Sequence, residues 1–198
     1  MNATTMPWPV DILNRMVRAV EKVRERLFRT TKVLENAGID YAVVGGHAVG
    51  AWVAKIDEGS MRNTRDVDIM IQRADLDAVK AAMEADGFIY GNAYGVDFFL
   101  DGIDAKPSEG VHLRYAGEKV KETDPVPTPL LSESERGAAF QVVSLEPLVR
   151  MKLVSFRRKD QVHLQDMIQL GLIDATWPAR FPPVLAERLQ EILDTPGG

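Results

Sequence analysis

The stretch Val43-Val44-Gly45-Gly46-His47-Ala48-Val49-Gly50-Ala51, followed after a gap by Arg62-Asn63-Thr64-Arg65-Asp66-Val67-Asp68-Ile69, decides the fold of this chain. The first part continues the apolar run that starts at Tyr41 and ends it with two glycines. In the second part apolar and acidic residues alternate with the period of two that is typical of a strand with one buried face. The sequence therefore predicts a short buried strand, a Gly-Gly turn into a helix, and a second strand that carries two carboxylates.

The two carboxylates are the strongest chemical signal. Residues two apart on a strand point to the same face, with a rise of about 3.3 Å per residue, so Asp66 and Asp68 can converge on one cation. Mg²⁺ prefers such oxygen ligands together with substrate phosphates. A solvated strand face would produce the same alternation. The Gly-Gly turn and the polar loop that carries Arg62, Thr64 and Arg65 favour the metal site.

The glycine pair Gly45-Gly46 precedes a predicted helix. Glycine allows close backbone approach, and a helix N-terminus offers unpaired N–H groups to a phosphate. A tight turn that needs a positive φ would explain the glycines equally well. The spacing is neither G-x-G-x-x-G nor the loop that ends in Gly-Lys-Ser/Thr, so a dinucleotide fingerprint and a Walker A loop are both excluded.

Length and composition fit one domain that folds without disulfide bonds. The chain has 198 residues, a net charge of −5, no cysteine and three histidines. Disulfide frameworks, Cys-ligated metals and thiol nucleophiles are excluded. We expect no membrane partner, because no apolar run approaches the ~18 residues of a spanning helix. The first residues show no secretory signal, so we expect a cytoplasmic protein.

The rest of the chain predicts an α+β (α/β) architecture, a small mixed sheet with flanking helices. Helices are expected over 11–37, 47–55 and 74–86, and then from Ser144 onward, over 160–170 and over 182–194. Strands are expected over 41–44, 67–71, 88–90, 96–100 and 111–115. We divide the chain into a core with its N-terminal helix (1–115), a Pro-rich connecting loop (116–140) and a C-terminal helical segment packed on the core (141–198).

The glycine pair and the Arg-x-x-x-Asp-x-Asp pattern together resemble the nucleotidyltransferase (DNA polymerase β-like) superfamily. The layout is similar to that of the aminoglycoside and lincosamide nucleotidyltransferases and of the AbiEii-type toxin nucleotidyltransferases. This resemblance covers roughly residues 40–115. A looser resemblance to the toxin-type members extends to Lys152 and to Arg158-Lys159-Asp160 in the C-terminal helices. The motif is more specific for the fold than for the acceptor.

The resemblance implies a minimal nucleotidyltransferase fold and a metal-dependent transfer of an NMP from an NTP to a hydroxyl acceptor. Asp66 and Asp68 would hold Mg²⁺ (or Mn²⁺). The nucleotide would be bound by five residues: Gly45, Gly46, Thr64, Arg65 and Lys152. The acceptor would be a small molecule, a protein or an RNA end, so nucleic acid enters only as acceptor. A toxin-like role with an antitoxin partner is implied by resemblance alone.

One residue departs from the family pattern. The third carboxylate is expected on the strand 111–115, where this chain has His112. A neutral imidazole can accept a proton near pH 7, but it is a poorer Mg²⁺ ligand than a carboxylate. His112 is therefore a catalytic base, a softer metal ligand, or the mark of a catalytically weakened nucleotide-binding module. If the strand register differs, Asp97, Asp101 or Asp104 could replace it. A third alternative for the function of the protein is a metal-dependent phosphoester hydrolase.

Overall fold

The computed structural model describes residues 10–195. Within them the chain forms six α-helices: α1 (Val10–Asn36), α2 (Gly45–Ala54), α3 (Leu76–Ala85), α4 (Leu145–Ser155), α5 (Arg158–Gln169) and α6 (Pro183–Asp194). Its strands are β1 (Tyr41–Val44), β2 (Val67–Ile71), β3 (Ile89–Ala93), β4 (Val96–Leu100), β5 (Val111–Tyr115), β6 (Ser134–Arg136) and β7 (Gln141–Val143). The predicted α+β class is confirmed.

All seven described strands belong to one mixed sheet in the order β3-β4-β5-β2-β1-β7-β6. The β2–β5 and β1–β7 pairs are parallel, and the other neighbours are antiparallel. The central strand β2 therefore lies between β1, which leads into the Gly-Gly turn, and β5, which carries His112. This topology brings the three sequence signals to one region of the sheet.

Alternation along β2 assigns its side chains to two cores. Val67, Ile69 and Ile71 pack with residues of α1 and α3 such as Leu34 and Met83. Met70 points to the other face and packs in the cluster formed with α2, α4, α5 and α6. Asp66 and Asp68 precede Met70 by four and two residues, so their side chains point to the same face of the sheet as Met70. Both carboxylates therefore lie on the face that α2, α4 and α5 cover.

The last two strands were not predicted. β6 lies inside the segment 116–140, which we expected to be an irregular Pro-rich loop, and β7 follows it and pairs with β1 through Val43 and Val142. Each of these strands has three residues, too few to show an alternating pattern. The segment is thus partly sheet, although the three-part division of the chain stays a prediction. A smaller correction is that α2 begins at Gly45 rather than at His47.

The long helix α1 is buried only in its C-terminal half. Leu27 and Leu34 belong to the core, whereas Leu13, Met16 and Val17 are more than half exposed. The N-terminal half thus extends beyond the body of the protein in the described structure. No helix in residues 10–195 combines the length and the apolar character that crossing a membrane requires.

Candidate functional site

Three potential metal ligands meet where β2 and β5 begin. One ligand atom from each of Asp66, Asp68 and His112 lies within 4.8 Å of the other two. The parallel register of β2 and β5 places Asp68 opposite His112, so their side chains project from the same face. Asp66 lies one residue before β2, and the next backbone N–H, that of Val67, donates to the carbonyl of Gly110 at 3.1 Å. The convergence is therefore a consequence of strand pairing.

The ring of His112 is oriented by the loop that leads into β5. Its Nε2 lies 2.8 Å from the carbonyl oxygen of Pro107. Because a carbonyl only accepts, this contact requires the hydrogen on Nε2 and leaves a lone pair on Nδ1 of the neutral ring. Nδ1 lies 4.0 Å from Oδ2 of Asp66. A histidine that ligates a metal commonly donates its other ring N–H in this way.

Polar neighbours keep the two carboxylates in position. The hydroxyl of Thr64 donates to Asp66 at 2.7 Å, and Lys159 Nζ lies 4.0 Å away. Burial raises the pKa of Asp66, but the Thr64 hydrogen bond and the Lys159 charge outweigh it and hold that pKa below its ordinary value. Asp68 accepts from Arg114 at 3.3 Å. Asp66 is therefore an anion at neutral pH.

The glycine pair lies directly beside this cluster. A Cβ at Gly45 would overlap Oδ2 of Asp68 and lie 2.9 Å from its Cγ, and a Cβ at Gly46 would lie 3.0 Å from the hydroxyl of Thr64. Gly45 also has a φ of +69°, which disfavours side chains. The positive φ of Gly45 fits the turn explanation, and the group that approaches it closely is the Asp68 carboxylate; phosphate binding by the glycine pair stays a prediction. The N-terminus of α2 faces the two aspartates.

A cleft opens between these elements and the helices α4 and α5. It consists of two cavities of about 290 and 310 Å³ that share four lining residues: Gly45, Asp68, Lys152 and Arg157. The first cavity extends toward the segment 120–128, and the second extends toward residues 62–64 and α5. Each volume lies near the lower end of the range for small-molecule sites.

Two cations of the cleft, Lys152 and Arg157, are held by one buried acid. Lys152, which is 5% exposed, donates to Asp160 at 3.1 Å, and Asp160 also accepts from Ser155 and Arg157 at 2.7 Å. Burial lowers the pKa of Lys152 despite this partner. Burial would raise the pKa of Asp160, but the Arg157 hydrogen bond and the Lys152 charge lower it to about 2. The cations are thus fixed before any ligand arrives.

The outer part of the cleft is closed by a second ion pair. Arg62 donates to both oxygens of Asp166 on α5, at 2.5 and 3.0 Å. His163 lines the cavity nearby, and its buried Nδ1 has no hydrogen-bond partner within the described residues. Burial and the Lys152 charge lower the pKa of His163 to about 4, so its ring is neutral at physiological pH.

The structure brings most of the sequence-predicted site residues together. The residues that line the cleft or form the cluster are Gly45, Gly46, Thr64, Asp66, Asp68, His112 and Lys152. Arg65 does not join them, because its side chain lines a separate crevice beside α1. The proposed substitutes for the third carboxylate lie outside the cluster, since Asp97 accepts from Tyr90 and Asn92, and Asp101 pairs with Arg29.

Sequence reasoning missed several polar residues of the cleft. Among the basic residues of 150–166 we assigned only Lys152 to the nucleotide, but Arg157 and Lys159 also line the cavity beside Asp66 and Asp68. Arg114 was overlooked although it follows His112 by two residues, the spacing that places both on one face of β5. That spacing was the available signal. The contact of Arg62 with α5 joins residues 104 positions apart, and local pattern does not reveal it.

Comparison with known proteins finds similar folds among solved structures. No family model and no curated protein matches the sequence. An antigenic nucleotidyltransferase-like protein from Paracoccidioides brasiliensis has a similar structure, with a TM-score of 0.53 and 17% identity over 89% of this chain and 87% of that one. ANT(2")-Ia, solved in complex with adenylyl-2"-tobramycin, has a TM-score of 0.52 and 10% identity over 88% and 98%. This chain has the nucleotidyltransferase fold. At these identities the likeness concerns the fold alone, and it confirms the fold expected from the sequence.

Proposed function

We propose that this protein transfers a nucleoside monophosphate from an NTP to a hydroxyl acceptor and uses a divalent cation to do so. The observation that carries the proposal is the convergence of Asp66, Asp68 and His112 beside the Gly45–Gly46 turn, in a chain with the nucleotidyltransferase fold. The adjoining cleft and its fixed cations support the same function.

The donor set fits a divalent cation. Two carboxylates and one imidazole nitrogen lie close enough for a single ion to contact all three, and the Pro107 hydrogen bond leaves Nδ1 as the donor atom. When bound, the cation neutralises charge on the phosphates and on the transferring group. Both Mg²⁺ and Mn²⁺ accept carboxylate ligands, and a nitrogen donor favours the transition metal. We therefore propose Mn²⁺ as the better fit and Mg²⁺ as the alternative.

The cleft supplies the groups that a triphosphate needs. The unpaired N–H groups at the N-terminus of α2 face the cavity at Gly45 and Gly46, and phosphate binding at such helix ends is common. Lys159 and Arg157 add positive charge from α5, and Lys152 adds it from α4. We propose that these groups hold the β- and γ-phosphates. Arg65, which we expected in this role, lines another crevice and is not included.

The transfer step is a substitution at the α-phosphorus. The acceptor oxygen forms a bond to that phosphorus, the bond to the bridging oxygen breaks, and pyrophosphate leaves with the electron pair. The hydroxyl proton passes to solvent. We assign His112 as a ligand rather than as a base, because Nε2 is committed to Pro107 and Nδ1 faces Asp66. Rate acceleration then comes mainly from positioning and charge stabilisation, as in phosphoryl transfer generally.

The acceptor is proposed only as a hydroxyl compound. ANT(2")-Ia, which was solved with adenylyl-2"-tobramycin, suggests an aminoglycoside as one candidate for this chain. The toxin-like role, the antitoxin partner and the cytoplasmic location stay predictions from the sequence.

The test is a transfer assay with each NTP labelled at the α-phosphate, with Mn²⁺ or Mg²⁺. Total RNA, a protein lysate and an aminoglycoside panel serve as acceptors. Wild type is compared with Asp68→Asn and with Asp104→Asn, a control that removes an exposed carboxylate outside the cluster. We expect labelled product and pyrophosphate from wild type and the control, and a loss of about 10³-fold in Asp68→Asn. NTP binding without transfer would support the catalytically weakened module instead.

A further inference from the structure

The exposed half of α1 carries a basic stripe. Arg15, Arg18, Lys22 and Arg26 recur at intervals of three or four residues, which places them on one face of the helix. Together with Arg65 they line a crevice of about 520 Å³ between α1 and the end of the sheet. This crevice is separate from the nucleotide cleft described above, with which it shares no lining residue.

The crevice concentrates positive charge in a protein of net charge −5. Five basic residues line it, against one acidic residue, Glu109. Asp11 lies 3.4 Å from Arg15 and 4.0 Å from Arg18, and both of those arginines remain more than half exposed. Within residues 10–195, Lys22 and Arg65 form no ion pair. Lys22 and Arg65 are thus available to an anion from solution, and Arg15 and Arg18 are exposed enough to contact one beside Asp11.

One member of the crevice is buried and incompletely paired. Arg26 is 7% exposed, its Nη1 donates to the carbonyl of Arg65, and its Nε lies 3.7 Å from a carboxylate oxygen of Asp101. That Nε has no hydrogen-bond partner within the described residues. Burying a guanidinium N–H without an acceptor costs free energy, unless a bound ligand supplies the missing acceptor.

The crevice reaches the same end of the sheet as the candidate metal site. Arg65 directly precedes Asp66, and Glu109 is followed by Gly110, which accepts from Val67. α1 covers the face of the sheet opposite the nucleotide cleft. A molecule in the crevice would therefore approach the metal site from the other side of the sheet end, at Arg65, while an NTP occupies the cleft.

We propose that this crevice binds the phosphodiester backbone of a single nucleic-acid strand and brings its terminal hydroxyl to the metal site as the acceptor. The proposal rests on the proposed function and names its acceptor class. The transfer step is the one given above, with the terminal hydroxyl as the attacking group and pyrophosphate as the product that leaves.

The length and the positive charge of the basic stripe favour a nucleic-acid strand as its ligand. From Arg15 to Arg26 it extends over 11 residues, about 16 Å along the helix axis, which matches several successive phosphates rather than one anion. The crevice is lined by five basic residues and one acidic residue. Its charge repels a polycationic acceptor. No aromatic side chain lines it, so recognition is electrostatic and independent of base sequence.

The first experiment measures binding without any NTP or metal. Fluorescein-labelled 12-nucleotide RNA and DNA strands of one sequence are titrated with protein in EDTA, and anisotropy is followed from 20 to 150 mM salt. Wild type is compared with Arg18→Gln/Lys22→Gln and with the control Arg24→Gln/Lys32→Gln. The control removes one arginine and one lysine from exposed positions of α1 that do not line the crevice. Thermal unfolding verifies that both variants fold.

We expect the crevice variant to bind roughly ten-fold more weakly at 50 mM salt. Its slope of log K against log salt should fall in magnitude by about 1.4, since each phosphate contact to a single strand contributes about 0.7. The control should match wild type. Equal losses in both variants, or no binding by wild type to either strand, would overturn the proposal. Comparison of the RNA titration with the DNA titration shows which type of nucleic acid the crevice binds.

The failure of this inference can be distinguished from that of the proposed function. The variant Asp68→Asn should bind the strand as wild type does, because its change lies outside the crevice. Normal binding with no label transferred to the strand or to any other acceptor would contradict the proposed function and leave the crevice assignment in place. Label transferred to a small hydroxyl compound, with no binding of the strand, would contradict the inference alone.

Discussion

The nucleotide cleft and the α1 crevice both present several cations, but they hold them differently. In the cleft, Lys152 and Arg157 are fixed by Asp160, whose side chain has no exposed surface. In the crevice, Arg15 and Arg18 have side chains that are 64% and 60% exposed and pair only with the exposed Asp11. Lys152 and Asp160 are buried, and Arg157, whose side chain is 57% exposed, is anchored to that buried acid, whereas both partners of the crevice pairs are exposed and screened by salt.

The difference indicates what each surface can do. Fixed cations in a buried network position a ligand accurately, because no side chain has to be ordered when the ligand binds. Exposed cations attract a polyanion from a distance and give binding that depends strongly on salt. We therefore assign reaction geometry to the cleft and capture of the acceptor strand to the crevice.

The largest expected effect is on stability. Asp160→Asn leaves Lys152 as a buried cation without its charged partner, which typically costs 3–5 kcal/mol. The matched change in the crevice, Asp11→Asn, removes an exposed partner and should cost less than about 1 kcal/mol. Urea unfolding of both variants measures the two free energies. Similar small losses would mean that the cleft is no more rigid than the crevice.

The same acid predicts how stability depends on pH. The pKa of Asp160 is about 2 in the folded protein, below its ordinary 3.8, so its stabilising contribution is present above about pH 4 and is lost as pH falls toward 2. A shift of this size corresponds to about 2 kcal/mol. The difference in unfolding free energy between wild type and Asp160→Asn should therefore narrow below pH 4. A difference that stays constant from pH 7 to pH 2.5 would contradict this.

The close approach at the glycine turn should matter for metal binding. In Gly45→Ala the new Cβ would overlap Asp68 Oδ2, so the carboxylate must move. Gly38→Ala is a matched control, because Gly38 has almost the same φ of +67° and nothing within 4 Å of the added Cβ. Both variants bear similar backbone strain. Only Gly45→Ala should lose Mn²⁺ affinity, by about 10–100-fold in a calorimetric titration. Equal Mn²⁺ affinity in the two variants would show that Asp68 does not bind the metal.

A smaller effect is expected on the choice of metal. In His112→Asp an oxygen donor replaces Nδ1, so the ratio of Mn²⁺ to Mg²⁺ affinity should fall by about ten-fold. Competition of Mg²⁺ against bound Mn²⁺ measures that ratio directly and does not depend on turnover. An unchanged ratio would show that His112 contributes no ligand, and the role of catalytic base would become the better assignment.

The sequence predicted the parts of this molecule that depend on local pattern. The strand that carries Asp68 and the Gly-Gly turn follow from apolar alternation and glycine placement, and the structure has both, although β2 begins at Val67 and leaves Asp66 one residue before it. β6 and β7 have three residues each, too few to show an alternating pattern, and β7 joins the sheet by pairing with β1, which is distant in the sequence.

The candidate site likewise contains features that the sequence predicts and contacts that it does not. The place of His112 beside Asp68 was expected from the family resemblance, and the parallel register of β2 and β5 has it. The hydrogen bond of His112 to Pro107, the ion pair of Arg62 with Asp166 and the position of Arg65 all depend on loop conformation and tertiary packing. Residue types in the sequence do not determine those contacts.

The most direct test of the central claim is to count Mn²⁺ bound to the purified protein by electron paramagnetic resonance, with and without a non-hydrolysable NTP. We predict that wild type and the control Asp104→Asn bind the ion more tightly when the NTP is present. The double variant Asp66→Asn/Asp68→Asn should bind neither ion nor nucleotide–ion complex at the same concentrations. Undiminished Mn²⁺ binding by a folded double variant would show that the cluster of Asp66, Asp68 and His112 is not the metal site.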